Sequence, residues 1–430
     1  MKILNKLIQI RIIFYIINFQ IYVINCQQDA TPMTLGRAFH TATLVWPKIY
    51  FLGGYSELSN YTNDFFYLDV SNPVNKTEGF QFVNLAYLTP NTTISGHNRA
   101  TTSVGGEPRD TIFLFDGHMG NDSYYASGVI FSFNTTEQNW EFVPFNYGGN
   151  EPMRRTSMNA ATDNNGKTYL FGGAKELEQS PIQYSNLMNT FDTINKFWGD
   201  EPIDSTIIPR DGYTATYIPE TGYIFYIGGF GKSFYTKELI NMETIDIFDT
   251  INNRWLHQKT INPPDEGRVF HTAVLTSDRR IVIFGGADNT TKQPVKNYYE
   301  VLDVNTCEWY HSNKGIYVET PYKGHTATLI NNDYMFISFG YVFTNGGSRL
   351  SNDIFIYKIG DYANFTLVDN FPYQSSNTSP VTQTPNNIRT IKIIAIVSCS
   401  VGLLLILIAA FIIYKKYPKK RSIQNILLIE

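Results

Sequence analysis

With 430 residues, 43% of them hydrophobic and 17% charged, the chain has material for a large core and the balance of a folded protein, not a disordered one. A net charge of -4 provides none of the basic stripe that nucleic-acid binding calls for. The three cysteines, Cys26, Cys307 and Cys399, fall in different regions, which excludes a disulfide framework.

The N-terminus opens with Lys2, Lys6 and Arg11, then the apolar run 12–23, then Ile24-Asn25-Cys26-Gln27. This order predicts a signal peptide over 1–26, cleaved after Cys26. An uncleaved anchor is the other reading, and Asn18 and Gln20 weaken it because polar residues make a permanent span costly.

From there to about residue 370 the same markers return six times. Each unit has a short apolar run ending in a glycine pair: Gly53-Gly54, Asp116-Gly117, Gly172-Gly173, Gly228-Gly229, Gly285-Gly286 and Gly340-Tyr341. The second positions lie 63, 56, 56, 57 and 55 residues apart. Apolar runs of about five residues bounded by glycine predict buried strands, with the glycines supplying positive φ where the chain leaves the strand. A polar loop follows, then a third strand that mostly ends in Asp or Asn, as at Asp69, Asn134, Asp192, Asp249 and Asp303. An Asx side chain there closes a tight turn. Trp140, Trp198, Trp255 and Trp309 open a fourth strand and supply area for packing one sheet on the next, with Phe80 or Phe82 and Phe365 standing in for Trp in units one and six. An aromatic content of 15% suits such β structure.

Beyond the repeats, 371–390 mixes Pro372, Pro380 and Pro385 with Ser, Thr, Gln and Asn, a stalk composition. The uncharged run within 391–414 meets the ~20 apolar residues a membrane helix needs. Lys415, Lys416, Lys419, Lys420 and Arg421 follow, so the tail 415–430 is expected in the cytosol and the protein is expected to be single-pass type I. Eight Asn-x-Ser/Thr sequons, at Asn60, Asn75, Asn91, Asn121, Asn134, Asn289, Asn364 and Asn377, all lie between the two hydrophobic ends, as an extracellular or lumenal placement requires.

Four markers recurring in order resemble the kelch repeat, over roughly residues 33 to 370. The resemblance implies an all-β, six-bladed kelch β-propeller over 27–370, four antiparallel strands per blade around a central channel. The atypical units two and six leave a seventh blade open, and the sequence does not locate the strand that closes the ring.

A kelch propeller outside the cell brings a copper radical oxidase to mind, whose site needs a Tyr cross-linked to Cys and two His ligands. Here Cys307, the one cysteine of the propeller region, precedes Trp309 at an outer strand, and His40, His271 and His325 share one repeat position in His-Thr-Ala, which suits framework. No enzymatic activity, cofactor or metal is expected. Protein or carbohydrate binding by an adhesion or receptor-like molecule is the expectation, with a secretory-pathway scaffold or sorting protein as the alternative. Arg37, Arg99, Arg154 (beside Arg155), Arg210 and Arg268 recur where the chain enters the innermost strand, and either meet a ligand or brace neighbouring blades. The loops after the glycine pairs differ between units and carry Tyr184, Lys232, Phe234, Tyr235, Tyr341, Phe343 and Arg349 as further binding candidates. Glycans at Asn60, Asn121 and Asn289 would encumber the loops of units one, two and five.

Overall fold

The computed structural model describes residues 35–89, 94–119, 130–144, 154–175, 183–202, 204–232, 237–288, 293–312, 320–344 and 347–372. The expected signal peptide, membrane helix and tail lie outside the described residues, as does the expected stalk from residue 373 on, while Phe371 at its start belongs to a strand. Among the described residues no helix is long and apolar enough to cross a membrane.

Among the described residues six four-stranded antiparallel sheets form the frame, each built from strands taken in chain order, with six smaller two- and three-stranded sheets beside them. Their first strands are Thr41–Val45, Thr101–Gly105, Ala161–Thr162, Thr214–Ile218, Thr272–Leu275 and Thr326–Ile330. Each of these touches the first strand of the sheets before and after it, and that of sheet six touches that of sheet one. The sheets therefore stand around a common channel, the propeller arrangement that the repeat implied. First strands are rich in Thr and Ala because small side chains fit the narrow inner radius.

The second strands show why a continuous apolar run was the strongest signal. Lys48–Leu52, Thr111–Phe115, Lys167–Phe171, Tyr223–Ile227 and Arg280–Phe284 each bury their last four residues in succession, because both faces of the sheet are covered by neighbours. Accordingly the apolar core is divided into six clusters, and each lies between two adjacent sheets.

The tryptophans do what their spacing predicted. Trp198 packs at 6.4 Å from Phe115 and Trp255 at 4.9 Å from Phe171, in both cases a ring of the preceding sheet. In sheet one the equivalent is Phe82, paired with Leu68, and not Phe80. Sheet six departs further. Register places Leu367, 40% exposed, opposite Tyr357, while Phe365 two residues earlier makes the inward stack at 4.6 Å on Tyr299.

The glycine pair of unit six needs correction by one residue: it is Phe339-Gly340, since Tyr334–Ser338 is the full second strand. Phe339 holds φ 59° and Asp116 φ 52° where the other units have the first glycine, so a side chain is tolerated there. The second position is Gly in all six, at Gly54, Gly117, Gly173, Gly229, Gly286 and Gly340. An added Cβ would lie 2.9 Å from Ala38 O at Gly54, 2.8 Å from Arg268 Cβ at Gly286 and 2.7 Å from His325 Cβ at Gly340.

The ring closes without a shared sheet. Asn370–Phe371 pairs antiparallel with Val74–Asn75, a short segment ahead of the fourth strand of sheet one. Lys76 Nζ lies 2.6 Å from Asp353, and the Phe371 ring sits edge-on to Tyr334 and Phe336 at 5.2 and 5.4 Å. Gly286→Ala combines a positive φ with a clash against the buried Arg268 side chain and is expected to destabilise the fold by about 2–4 kcal/mol, measured as a lower urea midpoint at unchanged slope.

Candidate binding site

Each sheet is preceded by a short lead-in in which three successive functions occupy fixed positions. The first position is Arg37, His97, Arg155, Arg210, Arg268 or Tyr322, and all six are almost wholly buried. Their backbone carbonyls accept the N–H of the second glycine of the preceding sheet: Gly54 to His97, Gly117 to Arg155, Gly173 to Arg210, Gly229 to Arg268, Gly286 to Tyr322 and Gly340 to Arg37, at 2.5–3.1 Å.

The arginine side chains turn back into their own sheet. Arg37, Arg155 and Arg268 donate to the carbonyls of Gly53, Gly172 and Gly285 at 3.3, 2.8 and 2.9 Å. A residue at or just before the start of the third strand completes each set: Asp64 at 3.1 Å from Arg37, Asn189 at 2.5 Å from Arg155, Asp246 on Arg210 and Glu300 at 3.5 Å from Arg268. Burial lowers the pKa of Arg37, Arg155 and Arg268, and the facing carboxylates oppose that shift. For Arg155 these include Asp116, the acid in the glycine pair of unit two. With their guanidiniums sealed from solvent, Arg37, Arg210 and Arg268 brace their own sheets. In unit three Arg155 holds this place and Arg154 is a half-buried neighbour.

Two residues further on, Phe39, Arg99, Ser157, Gly212, Phe270 and Gly324 share a positive φ of 53–67°. Five of them donate N–H to the carbonyl of the equivalent residue one sheet back, as in Arg99 to Phe39 at 2.9 Å and Phe270 to Gly212 at 2.8 Å. These residues rim a central cavity of about 210 Å³. Sequence reasoning missed this column, since it singled out recurring residues while the mouth is formed by the position that fails to recur. Arg99 belongs to it and is two residues out of line with the buried arginines.

The mouth gathers aromatic rings and cations. Phe39 meets Phe270 edge-on at 5.2 Å, and Arg99 Cζ lies 5.0 and 5.6 Å from the two ring centres. Tyr341 stands 6.2 Å from Phe39 and 6.3 Å from Tyr55, while Lys323 Nζ lies 5.3 Å from the Tyr341 ring. Burial, then Tyr55 and Tyr322, raise the Tyr341 pKa, against a pull from Arg99. Arg99 is the only arginine, lysine or carboxylate lining the cavity among the described residues. Of the loop candidates, Tyr341 joins this group and Phe343 adjoins it through Tyr322. Tyr184 instead packs on Phe230 at 6.1 Å, and Arg349 is exposed along the hairpin Tyr341–Leu350. Lys232 ends the strand Phe230–Lys232, and Phe234 and Tyr235 lie outside the described residues.

Deeper in the channel the histidines are engaged between sheets. His40 shares a hydrogen bond with Thr326 at 3.0 Å, His271 with Thr214 at 3.1 Å and His325 with Thr272 at 2.9 Å, each Thr belonging to the preceding sheet of the ring. Burial lowers the pKa of all three, to about 3 for His271 and His325. Cys307 lies in the turn before the strand Glu308–His311, and burial raises its thiol pKa.

Residues 40–246, 96–340 and 237–383 match the family model of the KLHDC2/KLHL20/DRC7 kelch-repeats domain. A stretch of 163 residues is 25% identical to Acyl-CoA-binding domain-containing protein 5 of Arabidopsis thaliana, covering 38% of this chain and 23% of that protein, so the chain spans less than a quarter of that relative's length. The solved structure of YjhT superposes with a TM-score of 0.56 at 14% identity, over 79% of this chain and 99% of that one, a likeness of fold alone.

Removing one partner of the Arg268–Glu300 pair strands a buried charge, so Arg268→Met is expected to cost about 3–5 kcal/mol, whereas exposed Arg349→Ala should fall within about 0.5 kcal/mol, both by urea unfolding. The neutral histidines set a pH dependence. Their folded pKa lies below the unfolded value near 6.5, so the unfolded chain takes up protons first as pH falls. Stability is complete above about pH 6.5 and is lost towards pH 3, at about 1.4 kcal/mol per pH unit for each such histidine. Melting temperature measured from pH 7.5 to 4 should fall less steeply in His271→Gln.

Proposed function

The chain belongs to the kelch-repeat family, and from that premise we propose that it is a single-pass type I membrane protein whose six-bladed propeller lies outside the cytosol and binds a protein partner at the channel mouth. The observation that carries this reading is the mouth itself, where Phe39, Phe270 and Arg99 line an open cavity and Tyr341, with Lys323 beside its ring, adjoins Phe39. Half-buried aromatics and arginine are the side chains that dominate binding energy at protein interfaces, because they bring large apolar area and a directional charge together. Two cations at the rim favour a partner that presents acidic or carbonyl groups.

The reading is non-enzymatic. It is supported by the engagement of His40, His271 and His325 with threonines of neighbouring sheets, which gives them structural work. The membrane placement rests on the two hydrophobic ends and the basic run after residue 414.

Capture of partners by the full chain on intact cells, after labelling with a membrane-impermeant reagent, tests both halves. Arg99→Ala and Tyr341→Ala are each expected to weaken partner binding at least tenfold with an unshifted melting temperature. Undiminished capture by both variants excludes the mouth, and failure of the protein to label excludes the cell surface. Binding to a glycan array in place of a protein would assign the mouth to carbohydrate.

A further inference from the structure

The turns between third and fourth strands project from the face opposite the mouth, since each first strand starts at the mouth and the strands alternate in direction. In sheets three, four and five this turn is organised by an acid whose Oδ1 accepts backbone N–H groups two and three residues on. Asp192 takes Ile194 and Asn195, Asp249 takes Ile251 and Asn252, and Asp303 takes Asn305 and Thr306. In sheets three and four the second carboxylate oxygen is bound at 2.7 Å by Asn195 or Asn252.

Sheet two keeps the turn and changes the chemistry. Asn134 Oδ1 accepts from Thr136 and Glu137 at 2.9 and 2.8 Å, which leaves its amide nitrogen directed where the second carboxylate oxygen stands elsewhere, without a partner among the described residues. The turn needs only the oxygen, so an amide here adds a nitrogen that the fold does not use. Asn364 lies in the equivalent turn of sheet six, exposed, its backbone N–H on Asp361 and its carboxamide without a partner among the described residues. Both residues begin an Asn-x-Thr sequence. Between them in the ring, sheet one has Asn75 in its third-to-fourth connection, with its amide nitrogen on Glu78 at 3.0 Å.

We propose that Asn134 and Asn364 carry N-linked glycans, which place sugar at the turns of sheets two and six on the face opposite the mouth. The inference rests on the extracytoplasmic placement proposed above. In the step itself the Asn Nδ2 bonds to C1 of an oligosaccharide carried on a lipid pyrophosphate. The C1–O bond to pyrophosphate breaks, one Nδ2 proton is released and the lipid pyrophosphate departs. Because the carbonyl oxygen is untouched, the turn at Asn134 survives the modification. Carboxylates at Asp192, Asp249 and Asp303 offer no such nitrogen, so in sheets three to five that position has no acceptor.

The test is made on the full chain produced in a eukaryotic secretory host, by peptide N-glycosidase treatment in heavy-oxygen water and peptide mass mapping. Both Asn134 and Asn364 are expected to convert to labelled Asp. Asn134→Asp, which retains the turn-forming oxygen, should remove one glycan from the intact protein without lowering its melting temperature. Finding either asparagine unconverted while other sequons of the same molecules convert overturns the proposal alone. Finding every sequon unconverted overturns it together with the extracytoplasmic placement.

Discussion

The structure depends on one repeated contact, the hydrogen bond from the second glycine of each pair to the carbonyl of the next sheet's first lead-in residue. It is made six times, and the sixth, Gly340 to Arg37 at 2.7 Å, joins the last sheet to the first with the same parts as the others. The donor must come within a few ångströms of the lead-in backbone at positive φ, a combination that excludes a side chain. The buried arginines complete it, since a guanidinium has enough donors to reach a glycine carbonyl and a facing carboxylate at once, as Arg37 does with Gly53 and Asp64. Where the arginine is absent, His97 and Tyr322 still supply the carbonyl, so the backbone contact is the invariant and the side chain its support.

That contact also places the candidate site. By fixing the first lead-in residue it fixes the left-handed residue two positions on, whose side chain is thereby presented at the channel mouth and nowhere else. The contact itself uses only the backbone of that residue. Phe, Arg, Ser and Gly all occur there, and the frame can accept different surfaces at the mouth without a change of fold. Beneath it the His–Thr pairs join neighbouring first strands in the half of the ring that includes sheets four, five, six and one, so a polar wall lies under an aromatic rim.

Much of this was legible in the sequence because the strongest signals were local. Apolar runs buried on both faces, paired glycines, Asx turns and tryptophans each report a physical need met within one unit. The channel histidines were read as framework for the same reason, and the structure gives each a partner. What sequence could not supply was registration between units. Arg99 falls in line with Arg37 by proximity in sequence, yet the backbone sets it two places further along, where it becomes a rim residue. Arg155 rather than Arg154 proved to be the buried member, and Gly340 proved to be a second glycine, not a first. Phe39 and Phe270 were passed over because aromatics are common throughout, and only their edge-on contact across the channel distinguishes them.

The closing pair, Asn370–Phe371 against Val74–Asn75, is the last described structure before the chain leaves the ring. Any tension carried along the chain beyond residue 373 reaches the ring first at this two-residue ladder and at the Phe371 ring anchored beside Tyr334 and Phe336. The seam between sheets six and one is therefore where any such load would enter. Its ion pair and aromatic clasp stand outside the repeating pattern, as a fastening suited to the one junction that has no covalent connection of its own.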